Sequence, residues 1–328
     1  MNELLGALLG SLLGSLRWLG RTGTRGVAVA MFSATLLPGL GDTFRPALGV
    51  VVFALLSVAF VRLQPAAMAQ RLYRPGVPIA VCMWTALCIP LLSGLLCHWL
   101  NIHQLSPDLY TALMLQAIAS PMMATPAITM LLGLDATVVL IVMVTSTALL
   151  PITAALFAHL FLGSAAGDGG LSLSPGVLGV RLFVLLTGSA IVGFLVRRAL
   201  GVHRVAKLKL EFDGLNIAML FMFAAAIMGN VVPSLIDQPM TVLRFTAAVF
   251  VVFFALQGLS TLLFWRAGRD IAVSVGFMCS QRNMGMMLVA TAGAASEQVW
   301  LYCAMAQLPI YLGPMLMTPI VRRFVHRR

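Results

Sequence analysis

Two short polar runs stand inside otherwise apolar sequence, and their residue types suit the binding of a small charged solute. The first is Ser120-Pro121-Met122-Met123-Ala124-Thr125-Pro126 and the second is Ser280-Gln281-Arg282-Asn283-Met284-Gly285. In the second, a guanidinium flanked by two carboxamides offers planar, two-point recognition of an oxyanion such as a carboxylate. In the first, Pro121 and Pro126 lack an N–H and crowd the preceding turn, so a helix there would lose the partners of the Ala117 and Met122 carbonyls. Ser120, Thr125 and Thr129 add hydroxyls beside that irregular backbone.

Each run also has a bland reading. The prolines would then only kink a helix, and Arg282 would only tie down carbonyls that they free. Thr145, Ser146 and Thr147, ahead of Pro151, pose the same choice, because hydroxyls in membrane helices mostly bond back to their own helix. Gln116 is a second-rank candidate, and His98 and His103 flank an outer loop as solvated side chains. The five cysteines, Cys82, Cys88, Cys97, Cys279 and Cys303, are odd in number, form no C-x-x-C pair and read as small hydrophobes.

Enzyme chemistry is not expected. No H-E-x-x-H, G-x-S-x-G or Walker pattern occurs, which argues against a hydrolase or an ATP-driven pump. Gly39-Leu40-Gly41-Asp42 matches the G-x-G-D of intramembrane aspartyl proteases, whose chemistry needs two carboxylates sharing a proton. The nearest aromatic–Asp pair, Phe212-Asp213, falls in a basic cytoplasmic loop, across the membrane from Asp42.

The elements that position these runs follow from composition. Of the 328 residues, 60% are hydrophobic and 9% charged, with mean hydropathy +1.00. Soluble chains are about 45–50% apolar and about 25% charged. The chain is therefore read as an integral membrane protein, and a cytosolic enzyme, a nucleic-acid-binding domain and a disordered chain are excluded. Ten apolar segments are predicted as spans, at 26–41, 46–63, 77–99, 110–133, 137–162, 177–197, 214–234, 241–265, 272–295 and 299–321. Residues 1–25 form an N-terminal amphipathic segment, with Leu at 4, 5, 8, 9, 12, 13 and 16, expected to lie on the membrane surface.

The net charge of +11 sorts by side rather than marking a nucleic-acid partner. With the N-terminus inside, cytoplasmic segments hold seventeen of the 21 basic residues, and the outer ends hold Arg45, Arg181 and Arg244. That leaves Arg282, the one charge deep in a predicted span. A mid-membrane arginine costs at least about 2.5 kcal/mol on insertion scales, so something must offset it. The sorting places both termini in the cytoplasm, with a bacterial inner membrane as the expected location.

Ten spans divide into repeats at 26–163 and 164–328. Five crossings per repeat make the second enter from the opposite side, an inverted repeat of the kind many secondary transporters use. The fourth span of each repeat carries one of the polar runs, about 160 residues apart. Three successive side chains of a regular helix fan out by 100° each, so unwinding, helped by Gly285, is expected to bring Gln281, Arg282 and Asn283 to one cavity.

From about residue 26 to 322 the chain resembles the bile acid:sodium symporter superfamily. The resemblance rests on the Arg-rich turn from Val61-Arg62 to Arg71-Leu72-Tyr73-Arg74-Pro75, the Pro-containing fourth span followed by Leu131-Leu132-Gly133-Leu134-Asp135, and Asn283-x-Gly285 in the ninth. It implies an all-α fold of ten transmembrane helices in two inverted five-helix repeats. Panel and core domains would each draw on both repeats, and broken helices 4 and 9 would cross beside the substrate. It also implies transport of an organic anion, usually with sodium. The match is partial. Met122 and Met123 stand for two glycines of the family's fourth-span motif and Pro126-Ala127 for its Ser-Asn pair; Met278 and Arg282 stand for the Glu and Gln of its ninth.

The function expected is secondary transport of a small organic anion by alternating access around helices 4 and 9. Arg282, Gln281, Asn283, Thr125 and Ser120 would bind substrate, and Pro121, Pro126 and Gly285 would break the helices. No cofactor is expected. The possible ion site, Thr125, Thr145, Thr147 and the Met122 carbonyl, makes a weak sodium cage, and Arg282 would repel a cation beside it, so sodium is not expected to be required. The alternatives are a proton-coupled or uncoupled carrier of the same fold, or a ligand-binding membrane sensor. A sensor would carry a cytoplasmic output domain, and only seven residues follow the last predicted span.

Overall fold

The structure is a computed structural model that describes residues 2–23, 26, 29–30, 33–34, 39–63, 76–163 and 173–324. Half of the predicted span 26–41, Arg25, the turn holding Arg71 and Arg74, the segment 164–172, and Arg327 and Arg328 lie outside the described residues. Among those described, every element is a helix. In chain order the principal ones are α1 (Asn2–Arg21), α2 (Leu40–Arg62), α3 (Gly76–Trp99), α4 (Pro107–Ile118), α5 (Thr125–Leu131) and α6 (Thr137–Leu162). They continue with α7 (Pro175–Leu200), α8 (Lys209–Asp237), α9 (Pro239–Leu263), α10 (Arg269–Ser280), α11 (Met284–Thr291) and α12 (Glu297–Phe324).

Seven of these, α2, α3, α6, α7, α8, α9 and α12, are long and apolar enough to cross a bilayer. Their outward residues are large and apolar: Leu91, Leu92, Leu95 and Leu96 on α3, and Val180, Phe183 and Val184 on α7, are exposed. Such faces are stable against lipid and not against water. The chain is an all-α polytopic membrane protein.

The predicted spans 110–133 and 272–295 are each two half-helices. α4 and α10 have 12 residues, α5 has 7 and α11 has 8. At 1.5 Å per residue the longer halves reach about 18 Å, short of the roughly 30 Å hydrocarbon core. Local chemistry sets several ends. Proline opens α4, α5 and α9 within the first turn, where no N–H is needed. Gly133 (φ 75°) and Gly293 (φ 77°) follow α5 and α11 in the left-handed conformation that ends a helix cheaply only at glycine.

The chain divides into two compact units, and each draws on both halves of the sequence. The first comprises Met1–Leu63 and Leu186–Asp237. It is knit by close helix contacts at glycine, the device of lipid-embedded helices. A Cβ on Gly20 of α1 would collide with the Leu210 oxygen, and one on Gly214 of α8 would collide with the Leu16 oxygen. Arg17 Nε donates to Glu211 at 2.9 Å beside this contact. The part of α1 that packs, residues 16–20, is thus held on α8, while Leu12 and Leu13 of the leucine stripe are exposed. The G-x-G-D match also has a packing explanation. A Cβ on Gly229 would lie 2.5 Å from the Gly41 Cα, and Asp213 pairs with Arg62 at 2.8 Å.

The second unit comprises Gln64–Leu185 and Gln238–Arg328. Val81 and Trp84 of α3, Val139 and Val142 of α6, Leu256 of α9, and Val275 and Met278 of α10 form its main apolar cluster. Gly276 lets α10 approach α9, since a Cβ there would lie 2.6 Å from the Gln257 oxygen. This unit holds both broken helices.

Candidate functional site

The two breaks pair with each other. Residues 119–124 and 281–283 leave the helix, and their exposed backbone groups need partners that hydrocarbon cannot supply. Met122 N–H donates to Gln281 C=O at 2.8 Å, and Asn283 N–H donates to Ser120 C=O at 2.9 Å. Pro121 and Arg282 sit opposite one another in an isolated antiparallel bridge. Thr125 N–H returns to Met122 C=O at 3.0 Å, so α5 starts while that carbonyl is already engaged.

Arg282 locks this junction from the side. Its side chain is 1% exposed. Nη1 donates to Ala119 C=O at 2.8 Å and lies 3.5 Å from Thr85 C=O. Both carbonyls are available for a local reason. Ala119 follows the last turn of α4. Thr85 lies in a widened turn of α3, Trp84–Cys88, where Ile89 N–H reaches back to Trp84 C=O, and Pro90 has no N–H to offer. Sequence reasoning missed Thr85, although Pro90, five residues on, is a usable signal.

What Arg282 leaves over is its Nε and Nη2, both buried and without a protein partner. These adjacent N–H groups form one edge of the guanidinium, the edge that grips a carboxylate with two parallel hydrogen bonds. Gln281 is 0% exposed, and neither its Oε1 nor its Nε2 has a partner. It packs beside α12, where a Cβ on Gly313 would lie 2.6 Å from Gln281 Nε2. Ser120 Oγ, Thr125 Oγ1 and Thr147 Oγ1 are also buried and unpartnered. Among the described residues, these five side chains own seven of the eleven buried polar side-chain atoms that lack a partner. Each such atom costs about 1–3 kcal/mol, and folded proteins carry few of them. These seven atoms belong to Ser120, Thr125, Thr147, Gln281 and Arg282, all of the second unit.

Other candidates are placed differently. Asn283 does not join the set through its carbonyl oxygen: Oδ1 caps α11 by accepting Met286 N–H at 3.2 Å. Gly285 lies inside α11 rather than in the unwound stretch, and Pro126 opens α5 rather than kinking a continuous helix. Thr145 is exposed and bonds back to Ile141 C=O at 2.9 Å, and Ser146 bonds back to Val142 C=O at 2.6 Å. Thr145 and Thr147 are two residues apart on α6, about 200° around it, so the four-part sodium cage does not assemble. Gln116 Oε1 is taken by the Tyr302 hydroxyl, with both residues buried. The cysteines are free, four of them buried and Cys88 half-buried.

Among the described residues, no carboxylate neutralises Arg282. The described acids of this unit stand at helix ends: Asp108 on α4, Asp135 before α6, Asp270 on α10 and Glu297 on α12. Asp108 accepts from Ser296 at 2.5 Å, Asp270 from the Asp135 N–H at 3.0 Å, and Asp135 from the Thr137 N–H at 2.8 Å. Comparison of the sequence with models of known protein families and with curated proteins gives no match.

Proposed function

We propose that the protein is a secondary transporter of a small organic anion, with Arg282 as the anion's partner. The observation that carries this reading is the free edge of Arg282. One nitrogen of a buried guanidinium ties the two breaks to α3 and α4, while the other two are offered to a ligand, with Gln281, Ser120, Thr125 and Thr147 unpartnered in the same unit. Arg282 is thus proposed to be both a structural tie and the anion site.

The topology proposed is ten crossings in two inverted repeats, with both termini in the cytoplasm of a bacterial inner membrane. Seven full helices, the pairs α4–α5 and α10–α11 as one crossing each, and the segment 26–41 make up this count. In the second unit, a long helix, a broken pair and a long helix occur twice, and the two breaks meet antiparallel, as an inverted repeat requires. Reporter fusions at Lys209 and Arg269 should read cytoplasmic, and those at Asp108 and Asp237 external. A cytoplasmic signal at Asp237 would refute the count.

Among coupling modes, operation without sodium is favoured. A hard cation needs about six oxygen ligands, and Thr145 of the proposed cage is exposed and bonded back to Ile141 C=O. Uptake into proteoliposomes with choline in place of sodium tests this: unchanged rates are expected, and a tenfold drop would contradict it.

A further inference from the structure

We infer that the transporter works by exchange, one monoanion for another, and that its empty form reorients slowly. This inference rests on the anion reading of Arg282 and adds to it the mode of transport and the charge of the cargo.

The basis is a buried charge with no fixed counter-charge among the described residues. Arg282 is 1% exposed, and no ion pair among those residues includes it. The described carboxylates of its unit stand at helix ends, and Asp108, Asp135 and Asp270 are engaged there. The guanidinium also has little freedom to seek water. Nη1 is bonded to the Ala119 carbonyl at 2.8 Å, and its own backbone is tied into the junction on both sides, by Gln281 C=O and Asn283 N–H. Any state in which the site is closed and empty therefore buries a positive charge whose Nε and Nη2 have no protein acceptor. Desolvating an unpaired ion is strongly unfavourable. A carboxylate on the Nε–Nη2 edge turns the same closed state into a neutral, doubly hydrogen-bonded pair. Closure, and hence passage from one side to the other, is fast when loaded and slow when empty.

The charge count also sets the cargo. One guanidinium is balanced by one negative charge. A dicarboxylate would bring a second negative charge with no partner into the same dry site. The exchanged species are monocarboxylates, and the exchange moves no net charge.

The test uses the full-length protein. Lactate, gluconate and glycocholate are first compared by thermal stabilisation in detergent, and the most stabilising is used radiolabelled in proteoliposomes. Uptake into vesicles preloaded with that same monoanion is expected to be at least tenfold faster than into vesicles holding sucrose or succinate. It is also expected to be indifferent to a potassium–valinomycin potential. Equal uptake into preloaded and sucrose-filled vesicles, alongside clear binding, would overturn exchange and leave the anion site standing. Preloaded succinate driving uptake as well as the monoanion would overturn the charge rule. Neither stabilisation nor uptake with any of the three anions would overturn the anion reading itself, and this inference with it.

Discussion

The two breaks that meet at Pro121 and Arg282 are made by opposite means. The first is local. Pro121 deletes a donor within the stretch that leaves the helix, and Pro126 sets the start of α5. The second contains no helix breaker. Gln and Arg are good helix formers, yet residues 281–283 leave the helix because better partners lie across the junction. Ser120 takes the Asn283 N–H, Met122 supplies a donor to Gln281 C=O, and Arg282 fills Ala119 C=O. One break contains prolines and the other is held open by partners across the junction. The charged residue sits on the partner-held side, where its loss should be felt in both fold and binding.

The largest effect is therefore expected at Arg282. Arg282→Ala should abolish transport and lower stability by about 2 kcal/mol, because the buried Ala119 carbonyl loses its donor. Arg282→Lys should keep the fold, since an ammonium can serve one carbonyl, but it cannot also present two parallel donors. Denaturation midpoints and uptake measured together would separate these roles; wild-type transport by both variants would remove Arg282 from the site.

Smaller effects are expected at the hydroxyls. Ser120→Ala and Thr125→Val remove buried oxygens that have no protein partner. Stability should hold or rise slightly, while anion affinity falls by about 1 kcal/mol, roughly fivefold, for each hydrogen bond to the anion that is removed. A drop in stability without a change in affinity would show that they are bonded in the fold and not to the anion. Gly313→Ala should act similarly: its Cβ would push the Gln281 amide aside and weaken binding a few-fold with the fold intact.

The smallest effects sharpen the comparison from the other side. Pro121→Ala and Pro126→Ala should each change stability by less than about 1 kcal/mol. The first leaves both hydrogen bonds across the junction in place, and the second sits in a first turn that needs no N–H. If Pro121→Ala instead costs as much as Arg282→Ala, the junction does not depend on its partners in the way described.

How far these features can be read from sequence varies with their physical cause. The breaks are legible because prolines and a lone mid-span arginine are costly in lipid and stand out. Their pairing is not, since nothing in either run specifies that Pro121 faces Arg282 rather than a residue one turn away. Asn283 reads as a ligand residue beside Arg282, although Asn just before a helical run is also a preferred cap, and the cap holds its Oδ1. Thr145 and Thr147 group by proximity along the chain, where helix geometry already separates them. In α1 the leucine stripe is visible, but the packing edge is made by Gly20 and the Leu16 backbone, which no hydrophobic period reveals. The Thr85 carbonyl needs the widened turn of α3, which depends on packing as well as on Pro90.

The most direct measurement is anion affinity of wild type and Arg282→Lys, followed by thermal stabilisation with gluconate, lactate and glycocholate. If the Nε–Nη2 edge is the anion site, at least one monoanion stabilises the wild type. Arg282→Lys, with a ligand-free midpoint close to wild type, binds it at least tenfold more weakly, a loss of about 1.4 kcal/mol. Equal affinity in the two proteins would contradict the account, because a point charge cannot reproduce that edge.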